Sequence, residues 1–417
     1  MRILYICRVF SGFEESLKSQ IWKPTGAPTI FKMMEALDES AHEVRFIMTA
    51  RGVGSEFLSR WDSKTDNDVT LENLRQSILI IASEGRFIAR LGKLRGYLAE
   101  IIRLYKICLE VKRFKPEIIY FDRSNVFIGG LLSRFTSYPV VIRIMGIYPS
   151  MRKIQHSMKI ADLLQRWAFK SPFAFALCTQ DGSGGELWMD RALRPGVPRK
   201  MLLNGVSGSS ILGAIDKKLL TIPKDKLIFM FVGRLESIKG CREFIDACLI
   251  SKSSVGKKIH AVVIGTGSLE NEIRTTVKDS DATSMFTFIP RLHHEQIPNA
   301  HMIADVYVSL NHLGNLSNAN LECMYSNLCM IIPYSRKVDN IDAATDLLVP
   351  ESAVIRISPH NMTQELASRI IDIASDPNMI DNYKAAMQKA APKFLVSWDR
   401  RIADEISILE SIVRQET

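Results

Sequence analysis

The chain has 417 residues, of which 47% are hydrophobic and 24% are charged. This balance is typical of a folded globular protein rather than a disordered one, and the length predicts two domains. The formal net charge of +9 favours anionic partners, and no apolar run approaches the roughly 18 to 20 uncharged residues that a membrane-spanning helix needs.

The first half of the chain alternates short apolar runs with longer stretches of helical spacing, such as TIFKMMEAL (29–37). The runs are RILYIC (2–7), VRFIM (44–48), ILIIA (78–82), EIIYF (117–121), PVVIRIM (139–145) and AFALC (174–178). They are rich in Val, Ile and Phe without clean alternation, which is typical of strands buried on both faces of a parallel sheet. The N-terminal run lacks a small-residue cleavage site, so it is interpreted as a strand and not as a secretory signal.

A basic stretch, residues 86–115, holds nine Lys or Arg and two Glu. Its apolar residues near helical spacing are Leu94, Leu98, Ile101, Ile102 and Leu109. Two interpretations are open: a peripheral surface for anionic lipid on the inner face of a membrane, or a helix that packs on the core with its basic side in solvent. A nucleic-acid partner is not expected, because no recognition-helix, zinc or aromatic-stacking pattern accompanies the charge.

The second half repeats the alternation after a stretch containing Gly, Ser and Pro at 203–226. Its runs are LIFMFV (227–232), HAVVIG (260–265), FTFI (286–289), DVYVSL (305–310), CMIIP (329–333) and AVIRIS (353–358). Two series of strands and helices predict α/β architecture in two domains, 1–205 and 206–395. A last helical segment, 396–417, carries Ile402, Ile406, Leu409 and Val413 on one face, and we expect it to pack back onto the first domain.

Seven cysteines are scattered without a C-x-x-C pair, which is typical of reduced core residues in a cytoplasmic protein. His293 and His294 have no cysteine or further histidine at ligand spacing, so no metal site is expected.

The stretch FVGRLESIKG, residues 231–240, places two cations where a buried strand ends. Gly233 allows a close backbone approach, Arg234 follows at once, and Lys239 precedes a helix whose free N–H groups favour an anion. In open α/β sheets ligands bind beyond the carboxyl ends of strands, so this stretch predicts a diphosphate clamp. The alternative interpretation is a pair of solvated loop charges.

Other strand ends carry compatible groups. VVIGTGSLENEI (262–273) turns at Gly265, Thr266 and Gly267, and Arg291 lies just past FTFI. In the segment 309–333 a polar loop precedes a helix that begins near Asn318, so that the amides of 317–320 face a phosphate. Glu322 in this helix is suited to accept hydrogen bonds from two ribose hydroxyls, the alternative being a carboxylate that interacts with the helix dipole.

At these spacings the motifs resemble the C-terminal half of a family 4 retaining glycosyltransferase of GT-B fold. The N-terminal half is similar too, in MRILYICRVF, KPTGAPTIFKMMEAL, HEV (42–44) and LNGVS (203–207). The resemblance implies an α/β chain with two Rossmann-like domains whose parallel sheets face each other across a cleft. It also implies a nucleotide-diphosphate sugar as donor, a glycan or lipid-linked acceptor, and no metal or other cofactor.

Carried over by position, the resemblance makes Arg234 and Lys239 the catalytic cations that neutralise the leaving diphosphate. The expected donor-binding residues are Gly233, Gly265, Thr266, Gly267, Arg291, Asn315, Ser317, Asn318 and Glu322. The expected acceptor-side residues are Gly26, Arg123 and Arg143.

The chain departs from the family pattern at two positions. Gly314 stands where members usually have a glutamate for the donor sugar, which leaves two alternatives: Asn315 or Asn318 contacts the sugar, or the sugar differs. Met145 stands where many members have a histidine, which leaves Arg123 or Arg143 as substitutes.

The resulting hypothesis is a hexosyltransferase-like enzyme of cell-surface polysaccharide or glycoconjugate synthesis. A non-catalytic nucleotide-sugar-binding partner remains an alternative because of Gly314. A sugar-nucleotide epimerase is a further alternative, although its acid/base carboxylates are not evident.

Overall fold

The computed structural model describes residues 1–10, 12–50, 66–82, 95–207, 221–292 and 296–416. The chain divides into two units. The first consists of Met1–Thr179, Trp188–Leu202 and Asp399–Thr417, and the second of Gln180–Leu187 and Leu203–Trp398. The expected boundary at 205/206 placed residues 180–187 in the first domain, whereas the structure groups them with the second unit.

Fourteen strands occur in the described residues. They are β1 (Arg2–Arg8), β2 (Glu43–Thr49), β3 (Asn67–Val69), β4 (Ile78–Ile81), β5 (Ile118–Asp122), β6 (Val140–Ile144), β7 (Phe175–Gln180), β8 (Arg199–Leu203), β9 (Leu227–Val232), β10 (Ile259–Ile264), β11 (Phe286–Ile289), β12 (Val306–Val308), β13 (Cys329–Pro333) and β14 (Ile355–Ile357). All twelve apolar runs predicted as strands are confirmed, while β3 and β8 were not predicted.

Within the described ranges, twelve helices come between the strands, as expected for α/β architecture, and three follow the last strand. They are α1 (Glu14–Ser19), α2 (Pro28–Glu39), α3 (Arg95–Phe114), α4 (Val126–Phe135), α5 (Pro149–Ile154), α6 (Ile160–Phe169), α7 (Gly185–Ala192), α8 (Cys241–Val255), α9 (Glu270–Asp279), α10 (Ile297–Ile303), α11 (Asn318–Tyr325), α12 (Ala343–Leu348), α13 (Met362–Ser375), α14 (Met379–Ala390) and α15 (Trp398–Glu416). None of the helices in the described part of the chain is long and apolar enough to cross a bilayer.

The first unit is built on an eight-stranded sheet in the order β3-β4-β2-β1-β5-β6-β7-β8. The central strand β1 pairs in parallel with both β2 and β5, and only the edge strand β3 is found antiparallel, to β4, among the pairings described. Parallel strands whose carboxyl ends meet at one edge bring the residues that follow β1 and β5 together.

The second unit is built on a six-stranded sheet in the order β11-β10-β9-β12-β13-β14. Alternate residues of β9 enter two different apolar clusters: Phe229 and Phe231 pack on one face of the sheet, and Ile228 and Met230 pack on the other. Burial on both faces explains why this strand is continuously apolar in the sequence.

The helix α3 turns a different face to the core than its apolar residues predict. The side chains that it buries include Ala99, Arg103, Ile107 and Val111. The large side chains that it exposes are Tyr97, Ile101, Tyr105 and Leu109, spaced four residues apart along one side. Of the two open interpretations, packing on the core is observed for α3 through these other residues, whereas Ile101 and Leu109 are exposed. Residues 86–94 of the basic stretch lie outside the described residues.

Candidate active site

The loops after β9 and β10 touch through their backbones at the carboxyl edge of the second sheet. Gly233 donates its N–H to the carbonyl of Ile264, and Leu235 donates to the carbonyl of Thr266, each at 2.9 Å. A Cβ atom on Gly265 would lie 1.8 Å from the carbonyl oxygen of Gly233. A Cβ atom on Gly233 would meet the ring of Phe231 at an ordinary 3.7 Å, so it is Gly265 that must be glycine for the two loops to pack together.

Gly267 has the same role one step further along the loop. A Cβ atom there would lie 2.4 Å from the carbonyl oxygen of Leu235. Glu236 completes this contact by accepting hydrogen bonds from the hydroxyl of Ser268 at 2.8 Å and from its N–H at 3.4 Å. Thr266 contributes its carbonyl to the loop while its side chain is exposed.

Arg234 and Lys239 follow β9 in the first of these two loops and lie near enough to each other for their charges to interact. Arg234 is exposed and Lys239 is half-buried in the turn before α8. Burial lowers the pKa of the Lys239 ammonium, the neighbouring charge of Arg234 lowers it further, and the charge of Asp181 opposes both effects. The structure therefore brings together the two cations that the sequence predicted as a pair.

The start of α8 is fixed against the loop after β12. Gly240 has a φ of +72°, and a Cβ atom on it would meet Leu310 at 2.4 Å. His312 in the same loop donates its backbone N–H to the carbonyl of Ile238 at 3.0 Å. These contacts set Lys239 beside the loop that leads into α11.

The helix α11 begins with a side-chain cap. Ser317 is its N-cap residue and accepts a hydrogen bond from the N–H of Asn320 at 3.4 Å. Asn318 accepts a hydrogen bond at its Oδ1 from the side chain of Asn204, 2.7 Å away, in the LNGVS element. Glu322 is half-buried on the second turn of the helix, so the predicted phosphate cap and ribose carboxylate share one helix.

Asn315 is placed under the loop and not on its surface. Its side chain is fully buried and donates to Asp342 Oδ2 at 2.7 Å, while its Oδ1 accepts from Ser309 at 2.9 Å. Its backbone N–H also donates to Asp342 Oδ1 at 2.6 Å. These are the contacts of a residue that supports the loop, so Asn315 has no side-chain group left to face a sugar.

Arg291 is exposed just beyond β11. Residues 293–295, which include both histidines considered for zinc, lie outside the described residues. Among the residues that the structure describes, no three His, Cys, Asp or Glu side chains cluster in a way that suits a metal ion.

A glycine-rich loop that the sequence interpretation left out lies beside Gly314. The carbonyl of Asp181 accepts the N–H of Leu316 at 3.2 Å, and the carbonyl of Gly182 accepts the N–H of Asp342 at 2.7 Å. A Cβ atom on Gly314, whose φ is +131°, would lie 2.5 Å from the Asp181 carbonyl oxygen. The signal in the sequence was the cluster DGSGG (181–185), two residues after the predicted strand AFALC (174–178).

Two of the predicted acceptor-side residues lie at surface positions of the first unit. Gly26 is exposed, with a φ of +74°, just before α2. Arg123 follows β5 and lies over the ring of Tyr148, 5.6 Å from its centroid. Arg123 and Arg8 line a cavity of about 570 Å³ whose other walls come mainly from α3, α4 and α6.

Arg143 is instead buried, with 3% of its surface exposed. Its Nε lies 3.5 Å from Glu405 Oε1, and its NH2 group donates to Thr179 Oγ1 at 2.9 Å. Glu405 also accepts a hydrogen bond from Tyr120 and forms an ion pair with Arg401. This cluster was not predicted from the sequence, because Tyr120 and Arg143 lie far along the chain from Arg401 and Glu405.

Comparison with known proteins gives a family match within the second unit and structural matches over the whole chain. Residues 214–394 match the family described as Glycosyl transferases group 1, while a search of curated proteins gives no significant sequence match. Over 100% of both chains, the structure is similar to sucrose-phosphate synthase from Thermosynechococcus elongatus, with a TM-score of 0.69 and 12% identity.

The structure is also similar to Anabaena Alr3699/HepE in complex with UDP, with a TM-score of 0.68, 14% identity, and coverage of 99% of this chain and 100% of that chain. The complex of the same Anabaena protein with UDP-glucose matches with a TM-score of 0.65, 14% identity, and coverage of 98% and 99%. Together with the two predominantly parallel α/β sheets, these similarities identify the fold of the chain as GT-B, and its second unit contains the segment that matches the group 1 glycosyl transferases.

Proposed function

We propose that this protein is a retaining glycosyltransferase that moves a sugar from a nucleotide-diphosphate sugar to a glycan or lipid-linked acceptor. The observation that carries the proposal is the pair formed by Arg234 and Lys239. The two side chains are near enough for one charge to lower the pKa of the other, and they lie at the carboxyl edge of a parallel sheet, where such folds bind ligands. The match of residues 214–394 to Glycosyl transferases group 1 supports the same assignment.

The chemistry of transfer needs the charge that this pair provides. The bond between the sugar C1 and the diphosphate oxygen breaks with its electron pair on the diphosphate, while the sugar becomes positively charged. The acceptor oxygen forms the new bond to C1 on the same face, which retains the configuration, and its proton passes to the departing diphosphate. Arg234 and Lys239 stabilise the negative charge as it develops on the diphosphate.

The α11 segment supplies the remaining contacts to the nucleotide in this proposal. The amides at its N-terminus carry partial positive charge and suit a phosphate oxygen. Glu322, one turn further on, accepts hydrogen bonds from the ribose hydroxyls. Because one of the similar structures is a complex with UDP-glucose, UDP-glucose is the first donor to test, followed by GDP-mannose.

The first unit supports an amphiphilic, lipid-linked acceptor. Its cavity combines the guanidinium groups of Arg8 and Arg123 with the apolar side chains of Ile101 and Phe127. The exposed side of α3 continues the apolar surface towards Tyr105. A phosphate beside the arginines and a hydrocarbon chain along α3 match this distribution, and so does peripheral contact with an anionic membrane in cell-surface polysaccharide or glycoconjugate synthesis.

The test measures nucleotide binding and turnover in the same preparations. A ligand at one hundred times its dissociation constant stabilises a protein by about 2.7 kcal/mol, which a thermal-shift screen of UDP and GDP detects. Arg234→Ala is expected to abolish that shift and to lower donor hydrolysis on the order of 10²- to 10³-fold. Arg369→Ala is the matched control, since Arg369 is an exposed arginine on α13 of the same unit, paired with Asp372 at 3.3 Å. Equal effects of the two variants would refute the assignment.

A second candidate is a non-catalytic nucleotide-sugar-binding partner, which the glycine at position 314 favours. Such a protein binds the donor through the same cations, so Arg234→Ala weakens binding in both cases. The two candidates separate on turnover, because the enzyme releases free nucleotide from the donor and the partner releases none, even with acceptor present. An epimerised sugar or sugar nucleotide formed without acceptor would indicate an epimerase instead, whereas free sugar of unchanged configuration is also the product of donor hydrolysis by a glycosyltransferase.

A further inference from the structure

Neither side chain that was expected to contact the transferred sugar is fully available, since Asn318 already accepts a hydrogen bond at its Oδ1 from Asn204. Position 314 has no side chain, and the backbone of 181–183 fills the space beside it. Asn315 is consumed by its contacts to Asp342 and Ser309. A sugar bound to the diphosphate needs polar partners near Lys239 and the start of α11, so the residues that occupy that space are the ones to consider.

Asp181 occupies that space. Its carbonyl oxygen accepts the N–H of Leu316 at 3.2 Å, directly before the N-cap residue Ser317. Its carboxylate is close enough to Lys239 for each charge to influence the other. Asp181 therefore lies between the proposed diphosphate site and the N-terminus of α11.

The carboxylate of Asp181 is held in one orientation. Ser183 donates its backbone N–H to Asp181 Oδ1 at 3.0 Å, and its hydroxyl donates to the same oxygen. Both of these hydrogen bonds are made to Oδ1, which is thus fixed by the loop, so the second oxygen, Oδ2, is the one that would bind a ligand.

The loop that carries Asp181 is built to stay in place. Gly182 and Gly184 have φ values of +83° and +68°, a region that favours glycine. A Cβ atom on Gly182 would lie 2.5 Å from Asp342 Oδ1, and one on Gly184 would lie 2.6 Å from the carbonyl oxygen of Asp339. The backbone of the loop is therefore locked onto residues 339–342, which orders the carboxylate in advance of binding.

We infer that Asp181 binds hydroxyl groups of the transferred sugar and sets which sugar the site accepts. This inference rests on the proposed function, because it requires a nucleotide-diphosphate sugar on Arg234 and Lys239. A fixed carboxylate oxygen accepts hydrogen bonds from one or two neighbouring hydroxyls, and a misplaced hydroxyl leaves it unpaired. Ser183 is a positioning residue, since it acts through Asp181.

The inference predicts opposite effects on the nucleotide and on the nucleotide sugar. Without a sugar, the negative charge of Asp181 repels the diphosphate and offsets part of the charge of Lys239. Removing that charge leaves the affinity for free nucleotide diphosphate unchanged or higher, while the sugar loses its hydrogen-bond acceptor. A residue that only supported the loop would alter both affinities in the same direction.

The experiment measures dissociation constants by calorimetry for UDP with UDP-glucose and for GDP with GDP-mannose, and follows the pair that the wild-type protein binds more tightly. In Asp181→Asn, we expect the preference for nucleotide sugar over nucleotide to fall about tenfold to a hundredfold. Ser183→Ala should reduce the preference by less. Thermal unfolding of each variant establishes that it is folded.

Three outcomes separate this inference from the proposed function. If the preference falls in Asp181→Asn and the affinity for free nucleotide does not, the inference holds. The inference alone is overturned if Arg234→Ala abolishes nucleotide binding but Asp181→Asn does not lower the preference for nucleotide sugar. That result includes the case in which Asp181→Asn lowers the affinities for both ligands equally. If the wild-type protein binds neither nucleotide, the proposed function and the inference fail together.

Discussion

Arg143 and Arg234 occupy comparable positions in two different sheets, yet their surroundings differ completely. Each lies near the carboxyl end of a strand in a parallel sheet, Arg143 within β6 and Arg234 just after β9. Arg143 is buried against Glu405. Arg234 is exposed, and its charged neighbour is another cation, Lys239.

This comparison shows that the position of an arginine at a strand end does not decide what it binds. The position brings the guanidinium to the edge of the sheet where ligands bind, but the charge is available only if no carboxylate of the chain neutralises it. In the first unit α15 brings Glu405 to Arg143. In the second unit, Asp181 only partly offsets the positive charges of Arg234 and Lys239, so the pair can bind a dianion.

The largest expected effect comes from the cluster around Arg143. Glu405→Gln removes the negative charge that Arg143 and Arg401 share while both cations remain buried. Breaking a buried ion pair in this way costs about 3–5 kcal/mol. We therefore expect a loss of that size in the free energy of unfolding, measured by urea denaturation at neutral pH.

The same helix provides a matched control. Glu410→Gln also removes a carboxylate from an i, i+4 pair, here with Arg414 at 3.1 Å, but that arginine is largely exposed. Exposed pairs contribute about 0–1 kcal/mol. A loss below about 1 kcal/mol in Glu405→Gln, similar to the control, would mean that the buried cluster does not hold α15.

Two buried carboxylates, Asp342 in the second unit and Glu405 in the first, extend the comparison to the pH dependence of stability. Burial raises the pKa of Asp342 from 3.8 to about 6, and hydrogen bonds from Thr345 and Asn315 only partly oppose it. Burial acts in the same direction on Glu405, but the charges of Arg143 and Arg401 outweigh it and lower the pKa of that carboxyl. The buried carboxylates of the two units are therefore expected to respond to pH in opposite directions.

For Asp342, the folded state binds the proton more tightly than the unfolded state. The free energy of unfolding of wild-type protein relative to Asp342→Asn should therefore fall as pH rises from about 4 to 6, by up to about 3 kcal/mol. For Glu405, the stability relative to Glu405→Gln should be present above the ordinary pKa of 4.5 and decline as pH falls below it. Urea denaturation of the two variants beside wild type across this range checks both signs, and slopes of equal sign would contradict the assignment.

The sequence predicts the parts of this architecture that depend on local pattern. The run LIFMFV coincides with β9 (Leu227–Val232) because burial on both faces requires a continuous apolar run. The strands β3 and β8 escape prediction because they are short strands at the two edges of the sheet, where less of the chain must be apolar. The sequence left the buried face of α3 open between two interpretations, because that face includes Arg103, which approaches Glu100 at 2.6 Å.

The candidate site also has parts that local sequence pattern predicts and parts that it does not. Arg234 and Lys239 were found because a glycine turn, two cations and a helix start follow one another within ten residues. The neutralisation of Arg143 by Glu405 and the packing of Asp181 beside Gly314 depend on contacts between residues far apart in the sequence. Local patterns carry no information about such contacts, although the cluster DGSGG marked a backbone that some other element approaches closely.

The smallest expected effect on stability is the most informative about Arg234. Its side chain is exposed, and its charge acts against that of Lys239, so Arg234→Ala removes a repulsion and little packing. We expect the free energy of unfolding without ligand to change by less than about 0.5 kcal/mol, in urea denaturation at neutral pH, although the same substitution abolishes the thermal shift caused by nucleotide. A loss above about 1.5 kcal/mol would mean that Arg234 has a structural role like that of Arg143. If stability is unchanged while nucleotide binding is lost, the charge of Arg234 acts in ligand binding and not in folding. Two neighbouring cations repel each other, and their interaction becomes favourable only when an anion binds between them.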